Sequence, residues 1–518
     1  VFGGLTGTLP ELPGRLGQLA TAALAPGGPR VMRPHALSGA DFRNAYTSAG
    51  NTRAGVANYT GHDRVHRLTV ATIQFSGWQR SDLKTYAHKH HLPYSSATLT
   101  QVPAGQSSVP TKSDGGGAIE VALDQEALLS TAPYARQRAY FAPNTDAGAA
   151  AAYNKVYEDV MQGRAPHLVA LSVSWGSCEG DTNNRTTINN ILRSIVRKAH
   201  VTVFAASGDS GAYDCLGGLL GTTPEEGVDF PASSPYVVGV GGTRLTATKR
   251  SPNNGSNWHE SAWSCASKSD CAGGGLVVIG GGSGGSGGGV SSEFKKPDFQ
   301  SSVSASGRAV PDIAADADPA SGFPVYSSQE GSGTVGGTSL ATPVSAALFT
   351  DMLASRGFKR GIGDIHGRLY AAARHSGTFR DITSGSNGGY SAGAGYDAVT
   401  GLGAPLWPAL GNRFFPGAKP SATATIKRHH PRSRTQWRTV TVHWGGHAPS
   451  GTKMVTAEVV VRQGNGSIVA RRSGARPSGS LTFTGAAGHT YKVIVQAANS
   501  KHVMSAVATA SLTVPRSR

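Results

Sequence analysis

The sequence predicts an α/β fold with a mostly parallel sheet flanked by helices, followed by a smaller all-β domain. Short apolar runs alternate with helix-like segments from residue 37 to residue 415, which is typical of a parallel sheet covered on both faces. After residue 420 the pattern changes to short strands. We therefore expect a tail or pro-segment remnant at 1–36, the α/β domain at 37–415 and the all-β domain at 420–518.

The composition is that of a globular protein rich in loops. The 518 residues include 70 glycines and 28 prolines, and only 15% are charged, which excludes a helical bundle and a disordered chain. The length allows two or three domains. Since no run of about 18 apolar residues occurs, we predict no membrane span.

Within the α/β domain, apolar runs and glycine turns locate the elements. Strands are predicted at 68–73, 166–174, 201–206 and 235–242, and helices at 37–46, 81–91, 115–129, 149–162 and 188–199. Functional loops are expected beyond the carboxyl ends of such strands. Trp175–Ser177 and Ser207–Gly211 occupy that kind of position.

One serine lies where a helix is predicted to begin. Gly336 and Gly337 allow a tight turn, and Ser339 follows them just before an apolar run at 344–353. Backbone amides and the positive end of the helix dipole would favour an alkoxide there. Ser339 is thus either a nucleophile or an ordinary helix cap, and the choice depends on whether a proton acceptor is present.

The candidate proton acceptors are carboxylates. Neither His62 nor His366 stands in the HGTH context that a subtilisin-type hydrolase requires. Glu120 and Asp124 are four residues apart on one predicted helix, so they share a face and one pKa is raised. A carboxylate base functions in acid, where a histidine would be protonated. The alternative is a solvated helix face, to which we assign Glu126.

A third carboxyl group is a candidate for stabilising negative charge. Asp209 stands in a glycine–serine turn after an apolar strand. If protonated, it could donate a hydrogen bond to a developing oxyanion, whereas the ionised group would repel one. The alternative is a plain Asx turn.

Two further segments combine carboxylates with a glycine-rich loop. These are Asp381–Ile382 and Gly393–Asp397. Two carboxylates and bare carbonyls suit one hard cation such as Ca²⁺, which takes six to eight oxygen ligands, although the loop is not an EF-hand.

The four cysteines favour an exported protein. None forms a CxxC or zinc-like spacing. We expect a long disulfide, Cys178–Cys215, and a short one, Cys265–Cys271. Four reduced thiols are the alternative.

The C-terminal region is predicted to be a basic β-sandwich of the immunoglobulin or fibronectin-III kind. Six or seven short strands are predicted, and residues 420–518 hold 14 Lys and Arg against the single acid Glu458, so +13 of the formal charge of +17 lies there. Such a surface attracts polyanions. An anionic cell-surface polymer is the candidate partner, and nucleic acid is not expected because no aromatic series or nucleic-acid motif accompanies the charge.

Taken together, the motifs resemble those of the sedolisin family of serine-carboxyl peptidases over about residues 37–410. They occur in the family's order: Glu120-x-x-x-Asp124, Ser207-Gly-Asp209-Ser-Gly211, Gly337-Thr-Ser339-x-Ala-x-Pro343, and Asp381-Ile382 followed by Gly393-x-Gly395-Tyr-Asp397. No single motif is specific, but the combination is.

This resemblance implies a subtilisin-like fold and a secreted, acid-acting peptidase that is made as a zymogen and loses an N-terminal pro-domain. Ser339 would be the nucleophile, with Glu120 as general base and acid. Asp124 would orient Glu120, and Asp209 would be the oxyanion donor.

The resemblance also implies two binding sites. One calcium ion would be held by Asp381, Ile382, Gly393, Gly395 and Asp397. The peptide substrate would lie between two segments, formed by Ser174, Trp175 and Gly176 and by Gly287 and Gly288.

The sequence departs from the family at Gln74, where several members have a glutamate linked to the catalytic carboxylates. A shifted pH range is therefore expected. Endopeptidase and tripeptidyl-peptidase activity both remain open. Two other hypotheses are a protein that mainly binds anionic surfaces through residues 420–518, and a subtilisin-type Ser/His/Asp protease.

Overall fold

The structure, a computed structural model, describes most of the chain. The described residues are 3–4, 36–46, 68–217, 223–248, 257–266, 284–415, 419–426, 437–447, 454–464, 467–476, 478–499 and 508–514. They separate into two compact units, each considered by itself. Described residues up to 350, with 360–406, belong to the first unit, and 351–359 with those after 406 belong to the second.

Up to residue 206, the helices and strands of the first unit largely alternate, as the sequence predicts. The helices are Gly39–Ala45 (α1), Arg80–Lys89 (α2), Ala118–Thr131 (α3), Asp146–Met161 (α4), Arg185–Arg197 (α5), Thr338–Ser355 (α6), His366–Ala373 (α7) and Trp407–Phe414 (α8), the last in the second unit. The strands are Gly3–Gly4 (β1), Thr69–Gln74 (β2), Leu99–Pro103 (β3), Arg136–Phe141 (β4), Leu168–Val173 (β5), Trp175–Cys178 (β6), Thr202–Ala206 (β7), Cys215–Gly217 (β8), Thr223–Glu225 (β9), Asp229–Phe230 (β10), Val238–Ala247 (β11), Trp258–Ala262 (β12), Gly289–Lys295 (β13), Gly307–Val310 (β14), Ile313–Asp316 (β15), Phe323–Ser327 (β16), Gly331–Val335 (β17), Phe379–Arg380 (β18) and Ala404–Pro405 (β19).

A mostly parallel sheet forms the centre of the first unit. Its strand order is β12-β11-β7-β5-β2-β4-β3, and β15 also pairs with β11. Only β12 runs antiparallel to its neighbour. The central strands β5 and β7 are buried along their whole length, as expected for strands covered on both faces.

Helix α3 is buried throughout, which no amphipathic pattern predicts. Every residue from Ala118 to Thr131 is buried. The assignment of Glu126 to a solvated helix face is therefore wrong. Glu126 has no exposed surface and accepts a hydrogen bond from the backbone N–H of Tyr326 on β16.

One disulfide of the first unit joins Cys178 to Cys215, as expected. Cys265 is also disulfide-bonded, and its predicted partner Cys271 lies outside the described residues. Among the described helices, none is both long and apolar enough to cross a membrane.

Two antiparallel sheets form most of the second unit. Lys419–Ile426 (β20), Trp437–His447 (β21) and Gly479–Ala486 (β24) make one sheet; Met454–Gln463 (β22), Ile468–Ala475 (β23), Thr490–Asn499 (β25) and Ala508–Thr513 (β26) make the other. Alternate residues of both sheets share one apolar core, including Val442, Val459 and Val493. A small β-sandwich is thus present, and its likeness to immunoglobulin or fibronectin-III domains stays a prediction.

Candidate active site

The carboxyl ends of three adjacent parallel strands meet at the candidate site. β2 ends at Gln74, β5 leads into Ser174, and β7 leads into the turn that carries Asp209. Helices α3 and α6 bring the other predicted residues to the same place. The arrangement follows from parallel pairing, because the carboxyl ends of such strands lie at one edge of the sheet.

Ser339 lies in the first turn of α6 and is only 3% exposed. The turn before it needs a glycine, since Gly337 has a φ of +88°. The Ser339 hydroxyl lies 3.4 Å from the carbonyl oxygen of Ser174.

Pro343 explains a second contact of Ser339. Because proline has no N–H, the carbonyl oxygen four residues earlier, that of Ser339, lacks its helical donor. The hydroxyl of Ser174 lies 3.2 Å from this oxygen. Strand β5 and helix α6 are therefore linked at the residue that the sequence predicts to be the nucleophile.

Glu120 and Asp124 are both buried, with exposures of 2% and 0%. Asp124 accepts hydrogen bonds from the Gln74 amide nitrogen at 2.6 Å and from the Ser174 hydroxyl at 2.7 Å. Oε1 of Glu120 is buried without a hydrogen-bond partner. Asp124 is thus held in place, whereas Glu120 has an oxygen available for a proton.

Burial changes the acidity of this pair. Burial raises the pKa of Glu120 well above its ordinary value, and the charge of Asp124 raises it further. Hydrogen bonding from Ser339 lowers this pKa, but by less. Burial raises the pKa of Asp124 to about 7, although the hydrogen bonds from Ser174 and Gln74 lower it. The two carboxyls therefore retain a proton in weak acid, as two close carboxyls do.

Asp209 lies against the turn that precedes α6. Its Oδ1 accepts hydrogen bonds from the backbone N–H of Thr338 at 2.7 Å and from the Thr338 hydroxyl at 2.8 Å. Its Oδ2 faces Gly337, where an added Cβ would lie 2.6 Å away. Burial raises the pKa of Asp209 to about 6, although the two hydrogen bonds from Thr338 lower it. In acid it is therefore protonated and can donate.

Comparison with known proteins finds peptidases of similar sequence. The sequence model described as Subtilase family matches residues 130–356. Kumamolisin of Bacillus sp. (strain MN-32) is 35% identical over 334 residues, covering 61% of this chain and 54% of kumamolisin. Sedolisin of Pseudomonas sp. (strain 101) is 27% identical over 426 residues, covering 77% of this chain and 68% of sedolisin.

A solved structure is similar as well. Pseudomonas sedolisin, a serine-carboxyl proteinase complexed with two molecules of pseudo-iodotyrostatin, aligns with a TM-score of 0.60 and 26% identity over 73% of this chain and 97% of its own. The resemblance to the sedolisin family is confirmed. The predicted subtilisin-like α/β fold with its mostly parallel central sheet is confirmed as well.

The extent of the match limits what the sedolisin relatives show. The chain spans about half the length of kumamolisin and two thirds of that of sedolisin. The comparisons support a serine-type peptidase.

The first predicted substrate segment of the sedolisin-like site pairs with an extended chain in the structure. Strand β1 runs antiparallel to β6, with Gly3 opposite Gly176 and Gly4 opposite Trp175. Main-chain pairing of this kind is how an extended peptide adds to a strand edge. Ser174 connects this segment to Asp124.

The second predicted segment packs against the turn that carries Asp209. The N–H of Gly287 donates to Gly208 at 2.7 Å, and the Gly287 carbonyl accepts from the Ser207 hydroxyl at 2.6 Å. A Cβ on Gly287 would lie 2.2 Å from the carbonyl oxygen of Ser207. Gly287 and Gly288 thus support the Asp209 turn, and their contact with substrate stays a prediction.

The two predicted cation-binding carboxylates reach one glycine turn. Asp381 accepts from the N–H of Gly395 at 3.1 and 3.2 Å, and Asp397 accepts from that of Gly393 at 3.0 Å. Ile382, in contrast, is buried. Among the described residues, no group of three or more His, Cys, Asp or Glu side chains is arranged for a metal.

Three contacts of the site were not predicted from the sequence. Thr338 stands directly before Ser339 in its motif, but the sequence does not indicate that it contacts Asp209. The Trp175 indole donates to Gln74 at 3.2 Å. Asp214 is a further acid at the same turn; its Oδ1 accepts from the N–H of Ser210, and its Oδ2 is buried without a partner.

Proposed function

We propose that this chain is a serine-carboxyl peptidase that hydrolyses peptide bonds in acid through an acyl-enzyme on Ser339. One observation supports this proposal: the Ser339 hydroxyl lies beside three buried carboxyl groups. These are Glu120, Asp124 and Asp209, and burial raises the pKa of each. Such acids keep their protons at a pH where ordinary carboxylates are ionised.

Acylation proceeds from the fraction of molecules in which the Glu120–Asp124 pair has lost a proton and Glu120 is ionised. Glu120 then takes the proton of the Ser339 hydroxyl as the oxygen attacks the carbonyl carbon of the peptide bond. Protonated Glu120 next gives that proton to the leaving amine, so that the peptide bond breaks. Water enters and Glu120 takes its proton as the water oxygen attacks the ester carbon. Glu120 then returns this proton to the Ser339 oxygen as the ester bond breaks, which releases the acid product and restores Ser339. Asp124 keeps Glu120 oriented and shares its proton.

The oxyanion of each step would be stabilised by protonated Asp209. Since the pKa of Asp209 is about 6, this donor is present in acid and is lost above that pH. Replacing Asp209 with Ala should lower kcat by about 10²–10³-fold. Asn donates at every pH, so the Asp209→Asn variant should retain more activity than Asp209→Ala at pH 7.

The proposed substrate is an extended peptide paired along Ser174–Gly176. Endopeptidase and tripeptidyl-peptidase activity differ in whether the substrate needs a free amino terminus, so hydrolysis of free and capped peptides distinguishes them. Secretion is part of the proposal, because the Cys178–Cys215 disulfide suits an oxidising compartment. An N-terminal pro-domain removed in acid is part of it as well.

We also propose one calcium ion at the loop of Asp381 and Asp397. The donor set fits a hard cation, since two carboxylates meet at a turn whose carbonyls are not shielded by side chains: an added Cβ on Gly393 or Gly395 would have no neighbour within 4 Å. The carbonyl of Ile382 would complete the set. A chelator should lower the melting temperature of the wild type but not that of Asp397→Asn; equal melting curves with and without chelator in the wild type would contradict this.

The decisive experiment is hydrolysis of a denatured protein at about pH 4. Wild type should be active, and Ser339→Ala and Glu120→Gln should each be slower by at least about 10³-fold. Equal rates for all three would refute the proposal. Circular dichroism of each variant checks that the fold is intact.

The subtilisin-type alternative lacks a histidine among the described candidates. The ring of His366 is buried, with Nδ1 2.8 Å from Asp364 and Nε2 3.4 Å from Asp312. Both nitrogens are therefore used away from Ser339, while His62 lies outside the described residues. This alternative predicts highest activity at neutral to alkaline pH, which one pH–rate profile tests.

A second function is supported by the charge of the second unit. Arg462 on β22 stands opposite Lys492 on β25, and Arg471 and Arg472 are exposed on β23. Basic side chains concentrated in one region attract polyanions. We propose that this sheet binds an anionic cell-surface polymer. Arg471→Glu and Arg472→Glu should reduce retention on an acidic polysaccharide at low salt and leave peptide hydrolysis unchanged; unchanged retention would contradict it.

A further inference from the structure

Helix α3, which carries Glu120 and Asp124, begins without a cap of its own. Its N-cap residue is Gly117, which has no side chain to accept from the first amides. More remote groups accept instead. The hydroxyl of Ser113 accepts from the N–H of Ala118 at 3.1 Å, and Oε2 of Glu330 accepts from the N–H of Ile119 at 2.7 Å.

Glu330 belongs to a hairpin that is distant in sequence from α3. The hairpin consists of β16 and β17, and Glu330 lies in the turn between them. Its second carboxylate oxygen accepts from the Ser113 hydroxyl. The exposed carboxylate of Glu330 thus binds both the first turn of α3 and the loop before it. The contact within α3 is made at Ile119, the residue directly before Glu120.

The same hairpin makes further hydrogen bonds to its surroundings and leads to Ser339. The N–H of Tyr326 donates to buried Glu126 on α3 at 2.9 Å, and the N–H of Ser328 donates to Asp82 on α2 at 2.9 Å. Strand β17 ends at Val335, four residues before Ser339. The hairpin is therefore a direct covalent and hydrogen-bonded connection between the helix of the proposed base and the turn of the proposed nucleophile.

We propose that Glu330 is a positioning residue that sets the distance between Glu120 and Ser339 through the first turn of α3. It does not contact the reacting atoms. Its negative charge suits the positive end of the helix dipole, so it fixes where the helix starts. The inference rests on the proposed peptidase activity and adds to it a residue that no catalytic motif of the sequence contains.

The test compares Glu330→Ala with Glu330→Gln in the full chain. A displacement of about 1 Å can cost up to 10²-fold in rate, so Glu330→Ala should lower kcat by about tenfold with KM changed less than twofold. Gln retains an oxygen for the N–H of Ile119 and should restore at least a third of kcat. Glu158→Ala, which removes a partly exposed glutamate that binds Asn154 on α4, is the control and should behave as wild type.

A double variant separates positioning from general weakening of the fold. If Glu330 acts through Glu120, Glu330→Ala should have no further effect on the residual rate of Glu120→Gln. The inference is overturned if Glu330→Ala keeps the wild-type kcat, if Gln restores nothing, or if Glu330→Ala costs the same factor with and without Glu120. A wild type no faster than Ser339→Ala would instead refute the proposed function.

Discussion

Gln74 sets the direction of the hydrogen bonds around Asp124. The indole N–H of Trp175 can only donate, so the Gln74 carbonyl oxygen faces it at 3.2 Å and the amide nitrogen donates to Asp124 at 2.6 Å. A donor stabilises the charged form of a carboxyl and lowers its pKa. Gln74 therefore opposes part of the increase in pKa that burial causes at Asp124.

Replacing Gln74 with Met, which has a similar volume and no donor, should raise the pKa of the Glu120–Asp124 pair. A hydrogen bond to a charged group contributes about 1.5–3 kcal/mol, so the acid limb of the pH–rate profile should move to higher pH by roughly one unit. The profile of kcat/KM against pH measures it. The exposed Gln162→Met variant is the control, and an acid limb that stays in place in Gln74→Met would contradict the prediction.

For individual residues, the clustering of the candidate site residues was predictable, and the residues that surround them were not. Ser339, Glu120, Asp124 and Asp209 stand in local motifs whose spacing can be read directly, and the structure brings them together at one sheet edge. Glu126 was assigned wrongly because its burial depends on Tyr326, 200 residues away. Helical spacing shows which face a residue occupies, but not what covers that face.

At the scale of elements, the turn before α6 combines two constraints at one glycine. Gly337 has a φ of +88°, which costs other residues roughly 1–2 kcal/mol. Its missing side chain also leaves room for Asp209, whose Oδ2 would lie 2.6 Å from an added Cβ. The second constraint is functional, since it determines where the proposed oxyanion donor lies.

Gly337→Ala should therefore lower kcat/KM by about 10²-fold or more, because the added methyl group would push the Asp209 carboxyl away from the position of the oxyanion. Gly163 is a matched control: its φ is +72°, but nothing lies within 4 Å of an added Cβ. Gly163→Ala should lose a similar small amount of stability and keep its activity within about twofold. Thermal unfolding and peptide hydrolysis of both variants test this, and equal activities would show that the contact with Asp209 is unimportant.

The sequence predicted the central elements better than the peripheral ones. The apolar runs at 68–73, 166–174 and 201–206 correspond to β2, β5 and β7, because buried parallel strands are continuously apolar. The hairpin of β16 and β17 was not predicted. Pro324 interrupts one of its strands, and the other, Gly331–Val335, is rich in glycine. Its stability comes from contacts with α2 and α3, which local patterns do not contain.

The first unit as a whole contains many buried carboxyl groups. Burial raises the pKa of several carboxyls above their ordinary range: Glu120, Asp124, Glu126, Asp209, Asp214, Asp229 and Asp316. Asp312 is the opposite case. Burial alone would raise its pKa, but the Arg308 guanidinium and His366 hold it well below its usual range. The ion pair of Asp312 therefore survives in acid that protonates the other groups.

The raised pKa values predict a fold that is more stable in acid than at neutral pH. A carboxyl whose pKa is higher in the folded state binds its proton more tightly there, so its contribution is complete below the unfolded value near 4. The contribution is lost as the pH rises through the folded value, which is about 6 for Asp209 and about 7 for Asp124.

Thermal unfolding of Ser339→Ala, in which self-cleavage is absent, should accordingly give a melting temperature at pH 4.5 several degrees above that at pH 7.5. Adding Asp124→Asn and Asp209→Asn removes two of the titrating groups and should make the dependence on pH shallower. A melting temperature that rises from pH 4.5 to pH 7.5 would mean that these carboxyls are ionised in the folded protein. Asp209 could then not serve as an oxyanion donor, and the acid mechanism would lose its physical basis.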